Sequence, residues 1–159
     1  LIRQQPIYSA FTEGWALYAE RLAAEIGLYD DDPFGDLGRL QAEMYRAVRL
    51  VVDTGIHAKG WNRAEAVEDM VGTTGLGEEE VVSEVERYMA LPGQATAYKV
   101  GQLKILELRD RAREALGEAF DLKDFHAVVL ENGAVPLTVL ERLVDEWIAS
   151  KAPESSPTT

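Results

Sequence analysis

Arg46-Ala47-Val48-Arg49-Leu50-Val51-Val52-Asp53-Thr54-Gly55-Ile56-His57 is apolar on most of its faces when wound at about 3.6 residues per turn, which marks a buried helix. It closes the longest periodic segment of the chain, residues 34–57. Upstream, Trp15, Tyr18, Ala19, Leu22, Ala23 and Ile26 recur at helical spacing and predict a helix over residues 12–26, with Gly27 as its stop. Downstream, a turn at Lys59 and Gly60 leads to Asn62 and Glu65, the two ends of a capping box for a short helix ending near Gly72. Gly75 and Gly77 break the chain again. Glu78, Glu79 and Glu80 load the first turn of a helix over 78–90, where negative charge suits the helix dipole. Pro92 is expected in the first turn of a helix running to Leu116, and Asp121 and Pro136 open two more, separated by Asn132 and Gly133. No alternating run with hairpin chemistry and no fixed-period repeat interrupts this pattern. The expected fold is all-α: a bundle of about seven helices over residues 1–150, with a small, polar, Pro-containing tail over 151–159.

The chain has 159 residues, of which 47% are hydrophobic and 28% charged, the composition of one globular domain. No stretch approaches the roughly 20 apolar residues that span a bilayer. No signal peptide is visible. The sequence opens on Leu1 in what reads as a loop, so the expectation is the C-terminal portion of a longer protein, with any targeting segment upstream. There is no cysteine, which excludes disulfides and thiolate metal sites and favours a reducing compartment such as the cytoplasm. The net charge of −12, with no Lys/Arg patch, repels phosphate backbones and argues against a nucleic-acid partner. Asp30, Asp31 and Asp32 lack the alternate-ligand spacing and closing Glu of a calcium loop and read as a solvated turn.

Within the apolar 46–57 segment, Arg46, Arg49, Asp53 and His57 fall at i, i+3, i+7 and i+11, one narrow charged stripe. Burying such charges unpaired would cost several kcal/mol each. Either Arg49 and Asp53 pair along the helix and His57 sits at its negative end, or the stripe lines an active-site wall. The later helix repeats the pattern with Gln94, Tyr98 and Gln102, whose amides and phenol can orient a carbonyl or oxyanion. Gly101 in that helix interior suggests close approach of a neighbour or a ligand. Glu13 stands at the start of the first helix, where a carboxylate also favours the dipole. With only His57 and His126 and no His-x-x-x-His pair, no single helix of this chain can build a closed zinc site.

Four ordered segments resemble the bacterial DUF-885 family of helical, zinc-peptidase-like proteins. They are Phe11-Thr12-Glu13-Gly14-Trp15-Ala16-Leu17-Tyr18-Ala19-Glu20, the Arg46–His57 segment, Arg87-Tyr88-Met89-Ala90-Leu91-Pro92-Gly93-Gln94-Ala95 with Tyr98 and Gly101, and Phe120-Asp121 with Phe125-His126, Gly133 and Pro136-Leu137. The resemblance covers the chain to about Trp147. It implies a fragment of a larger helical zinc-peptidase-like fold and peptide-bond hydrolysis by the longer protein. Glu13 would be the third zinc ligand, with His57 and Tyr98 steadying the tetrahedral intermediate. Arg46, Arg49, Asp53 and Gln94 would form or support the wall of the cleft. The His-Glu…His segment that gives such enzymes two ligands and a base is absent here and would lie upstream. The chain alone is therefore expected neither to hold zinc tightly nor to cleave peptides. Its partners would be the peptide substrate, the missing N-terminal half of the same protein and, over apolar faces left bare, a second copy. The alternative is a non-enzymatic helical interaction module whose stripes are ion-paired structure.

Overall fold

The computed structural model describes residues 8–151. They form seven helices: α1 Ser9–Glu25, α2 Pro33–Lys59, α3 Arg63–Thr74, α4 Glu78–Ala90, α5 Ala97–Leu116, α6 Leu122–Glu131 and α7 Leu137–Lys151. A short 3-10 turn, Gly117–Ala119, follows α5, and no strand occurs among the described residues. Lys151 closes α7. The rest of the expected polar tail, and the loop expected at Leu1, lie outside the described residues.

Local chemistry sets the boundaries. Asp32 accepts the Gly35 N–H at 2.9 Å and starts α2 behind Pro33. Asn62 and Glu65 close the capping box of α3 in both directions. Asp121 accepts the N–H groups of Lys123 and Asp124 and starts α6. These bonds satisfy backbone donors that a helix start leaves without partners.

One expected boundary is corrected. Pro92 does not open α5; residues 91–96 form turns, and the helix begins at Ala97. Gly93 takes a left-handed φ of +80°, which ends helical winding there. Its N–H points at the carboxylate of Asp53 on α2, 3.1 Å from each oxygen. The tertiary bond and the left-handed residue together outweigh the preference of proline for a helix start.

Two apolar clusters hold the fold. Phe11 and Tyr18 of α1 pack with Ile105, Leu108 and Ala112 of α5, Phe125 and Val129 of α6, and Leu140 and Val144 of α7. Val48 and Val52 of α2 pack with Ala66, Val67 and Met70 of α3 and Val81, Val85 and Tyr88 of α4. The spine between them is α5, which runs parallel to α1: Gly101 meets Ala10 and Gly14, while Arg109 reaches Tyr18 and Glu25 further along both helices. A Cβ built on Gly101 would fall on the carbonyl oxygen of Ala10, and one on Gly14 would fall on the Gly101 backbone. The two glycines bring the helix backbones into contact, and Gln102, fully buried, donates across the seam to the Leu17 carbonyl at 3.2 Å.

The α1–α5 core also encloses a polar chain. Arg109 donates to Glu25 at 2.7 Å and to the Tyr18 oxygen at 3.2 Å. Because the Tyr18 oxygen accepts from arginine, its own proton is available to His126 Nε2, 2.8 Å away. That bond requires an unprotonated Nε2. Consistently, burial first and the Arg109 charge second hold His126 below its ordinary pKa near 6.5. The unfolded chain therefore protonates before the folded one. The stability held by this network is complete above about pH 6.5 and is lost as pH falls through the lower folded value. The urea midpoint is expected to drop between pH 7.5 and 5, and His126→Gln, which keeps an acceptor, should flatten that drop. An identical pH profile in the variant would remove His126 from the account.

Candidate functional site

Three of the four residues of the charged stripe, Arg49, Asp53 and His57, face the corner where α4 turns into α5. Successive polar positions of α2, beginning with Glu43 before the stripe, meet successively earlier residues of that corner: Glu43 meets Lys99, Arg49 meets Tyr98 and Gln94, Asp53 meets Gly93, and His57 meets Tyr88. The α2 helix thus runs antiparallel to the 88–99 segment and clamps it with polar groups.

Arg49 is the centre of this clamp and is only 6% exposed. Its guanidinium carbon lies 4.6 Å from the Tyr98 ring centroid, 5.5 Å from that of Tyr88 and 5.6 Å from that of Tyr45. Aromatic faces carry partial negative charge, and a guanidinium is weakly hydrated for a cation, so three rings can stand in for water. Its one side-chain hydrogen bond is long, 3.4 Å from Nη2 to Gln94 Oε1, and Nε is buried without a partner among the described residues. No described carboxylate pairs with it. The i, i+4 pairing of Arg49 with Asp53 open to the sequence is therefore not the one formed.

Gln94 Oε1 also accepts from Arg87 Nη1 at 2.9 Å, so two guanidinium groups converge on one neutral oxygen. Arg87 is itself held by Glu84 through Nε at 3.0 Å and Nη2 at 2.6 Å, and the Tyr88 hydroxyl donates to Glu84 at 2.9 Å. Hydrogen bonding by Arg87, helped by Tyr88 and Tyr45 and opposed by desolvation, lowers Glu84 to about 2. Its contribution is present above the ordinary carboxylate pKa near 4.5 and is lost as pH falls toward 2. Tyr88, buried under the same cluster, is raised well above the usual phenol value, chiefly by desolvation.

Asp53 is 2% exposed and gives both oxygens to the single Gly93 N–H. His57 is exposed, and its Nε2 lies 3.0 Å from the Tyr88 carbonyl. A carbonyl only accepts, so Nε2 carries the proton, and Nδ1 has no hydrogen-bond partner among the described residues. Asp53→Ala is expected to cost about 1–3 kcal/mol, the penalty for stranding the Gly93 N–H beside a cavity. It should also accelerate hydrogen exchange of the Gly93 amide by at least tenfold. Unchanged exchange at Gly93 would show that the clamp is not what holds the turn.

The remaining sequence candidates stand apart from this cluster. Arg46 turns toward α1, with Nη2 3.7 Å from Glu20 and Nη1 donating to the Ala42 carbonyl at 3.0 Å. Glu13, half-buried on α1, directly precedes Gly14 at the crossing with Gly101, and Tyr98 lies one turn before Gly101 on α5. No described residue gives the Glu13 carboxylate a hydrogen bond or ion pair. Neither does any group of three His, Cys, Asp or Glu side chains gather to hold a metal among the described residues. The described residues alone therefore do not fit a zinc ion; Glu13 can supply one ligand of a set completed elsewhere.

Sequence reasoning passed over Tyr45, Glu84 and Arg87 as partners of the stripe. The signals were present: Tyr45 lies four residues before Arg49, and Glu84, Arg87 and Tyr88 share one face of α4 at i, i+3, i+4. Of this cluster, Tyr45 also borders a surface groove with Gln41, Ala42, Thr74, Leu76 and Glu80.

A family model described as a bacterial protein of unknown function, DUF885, matches residues 1–144. No curated protein matches. A solved structure, "the putative lipoprotein from Colwellia psychrerythraea", is similar to this chain at 61% identity and a TM-score of 0.88, over 91% of this chain and 25% of that one. The chain thus spans about a quarter of the length of that protein.

Proposed function

The chain belongs to the DUF885 family, and on that premise we propose that it is the C-terminal part of a zinc-dependent peptidase, contributing one metal ligand and one wall of the cleft to a longer protein. The observation that carries this reading is Glu13: a half-buried carboxylate given no partner by the described residues, next to Gly14 at the close crossing of α1 with Gly101 of α5, one turn beyond Tyr98 on that helix. A carboxylate in a fold of this kind is ordinarily paired or fully solvated, and metal ligation is one established use for one that is neither. Zinc, when bound, would polarise a peptide carbonyl and activate water.

Tyr98 is assigned the role of orienting the substrate carbonyl, with its ring fixed by the Arg49 guanidinium and its hydroxyl given no partner by the described residues. Because the Tyr88 carbonyl engages His57 Nε2, the neutral ring offers only the acceptor Nδ1, and His57 is assigned the part of taking a proton in the cleft rather than donating to the intermediate. Arg49, Asp53 and Gln94 act as positioning residues that fix the 88–98 segment from which Tyr98 projects. Arg46 sits at the α1–α2 contact and supports the wall from behind.

The test is zinc content and peptide hydrolysis of the longer protein beside the 159-residue chain. The reading expects stoichiometric zinc and hydrolysis in the longer protein and neither in this chain. A longer protein that binds no metal would end it. The non-enzymatic module is favoured by a different observation, that Arg49, Asp53 and His57 all engage the 88–98 segment. That reading gives the Glu13 carboxylate no role.

A further inference from the structure

The inner side of α2 buries Val48, Arg49, Val52, Asp53 and Gly55. On the side flanking it, Leu37, Leu40, Met44, Ala47 and Val51 follow one another at spacings of three, four, three and four. Of these, Leu37 is 62% exposed, Leu40 48%, Met44 38% and Val51 49%. Thr54 and Ala58 continue the same 3–4 alternation to the end of the helix. This is the a/d seam of a helix that packs on another helix by interdigitating side chains, at a shallow crossing angle near 20°. A solvated helix face carries charge there instead. From Leu37 to Val51 the seam runs about 21 Å at 1.5 Å per residue, room for some four turns of a partner. Leu40 at its early end also borders a groove with Arg21, Ala24, Glu25, Arg39 and Glu43, into which a partner side chain can seat.

We propose that this outer seam of α2 is the docking surface for one helix from the part of the longer protein that lies outside these 159 residues. The inference rests on the reading that the chain works as part of a longer protein, and it names the surface by which the parts join. Two observations select this occupant over a second copy. The similar Colwellia structure has three quarters of its chain beyond the matched 25%, ample to supply a helix. The net charge of −12 opposes the approach of two identical chains. The partner helix is expected to carry apolar residues at the same 3–4 spacing.

The experiment places a photo-crosslinking benzoylphenylalanine at Leu40, and separately at Val51, of the longer protein, with exposed Glu118 as control. Both seam positions are about half exposed here, so the bulky label is accommodated without disturbing either core. The expected result is cross-linking at both seam positions at monomer mass, to a peptide outside residues 1–159, several-fold above the control. Failure to cross-link at both positions, a dimer-mass product joining two chains, or linkage within residues 1–159 overturns the proposal. The readout needs neither metal nor substrate. A longer protein that cross-links as expected but holds no zinc would sink the peptidase reading and leave the docking surface standing.

Discussion

Gly101→Ala is expected to destabilise the chain by about 3 kcal/mol or more, although alanine is the better helix former. The two effects have opposite signs, and their sizes decide the outcome. On propensity alone, replacing a mid-helix glycine by alanine would stabilise α5 by about 1 kcal/mol. Against this, a Cβ at Gly101 would land on the Ala10 carbonyl oxygen and 2.7 Å from the Gly14 Cα. Both obstacles are backbone, so no rotamer change relieves them, and α1 must move away from α5. Overpacking costs typically 1–3 kcal/mol and more where the backbone itself must shift. Separation of the two helices would also stretch the Gln102 bond to Leu17 and the Arg109 bonds to Tyr18 and Glu25. Urea denaturation of both proteins measures the difference. A Gly101→Ala variant as stable as the parent, or more stable, would mean that α1 and α5 do not touch at this crossing.

That crossing was legible in the sequence only as an oddity, a glycine inside a helix where close approach was expected. Its partner glycine lies 87 residues away, and no local pattern announces which helix meets which. The helices themselves were easier to read, because periodicity and capping are local. Asn62 with Glu65 and Asp121 marked helix starts that the structure shows with their bonds made. The start of α5 was misplaced because Pro92 is a local signal, whereas the bond from Gly93 to Asp53 that overrides it spans 40 positions. The charged stripe of α2 was visible as a stripe, but its partners were not. Sequence spacing offered Asp53 to Arg49; the fold offers three tyrosine rings and a glutamine, two of them from α2 and α4 and two from the 94–98 segment. The outer seam of α2 went unread because the 46–57 segment, apolar on most of its faces, read as a buried helix, and Leu37, Leu40 and Met44 lie before it. Exposure separates its two apolar sides, and exposure is a tertiary property.

Glu13→Ala carries the largest expected effect on function. If Glu13 is the third ligand, as proposed, its removal leaves a site below the minimum for catalytic zinc. Loss of groups that merely orient ligands already weakens metal binding about 10–100-fold, so loss of a ligand is expected to weaken it by at least about 100-fold. The fold should tolerate the change. Glu13 makes no hydrogen bond or ion pair with described residues, and alanine suits the first turns of a helix at least as well. Loss of metal with an unchanged urea midpoint would therefore separate ligation from structure. Glu13→Gln, which keeps the shape and removes the charge, is expected to fall between the two.

The most direct measurement is the zinc content of the longer protein, wild type beside Glu13→Ala, after dialysis against a weak chelator. The account predicts about one zinc per wild-type chain and a near-empty variant of equal stability. Equal zinc in both would remove Glu13 from the metal site, and no zinc in either would leave a helical module in which the α2 stripe serves only to hold the α4–α5 corner.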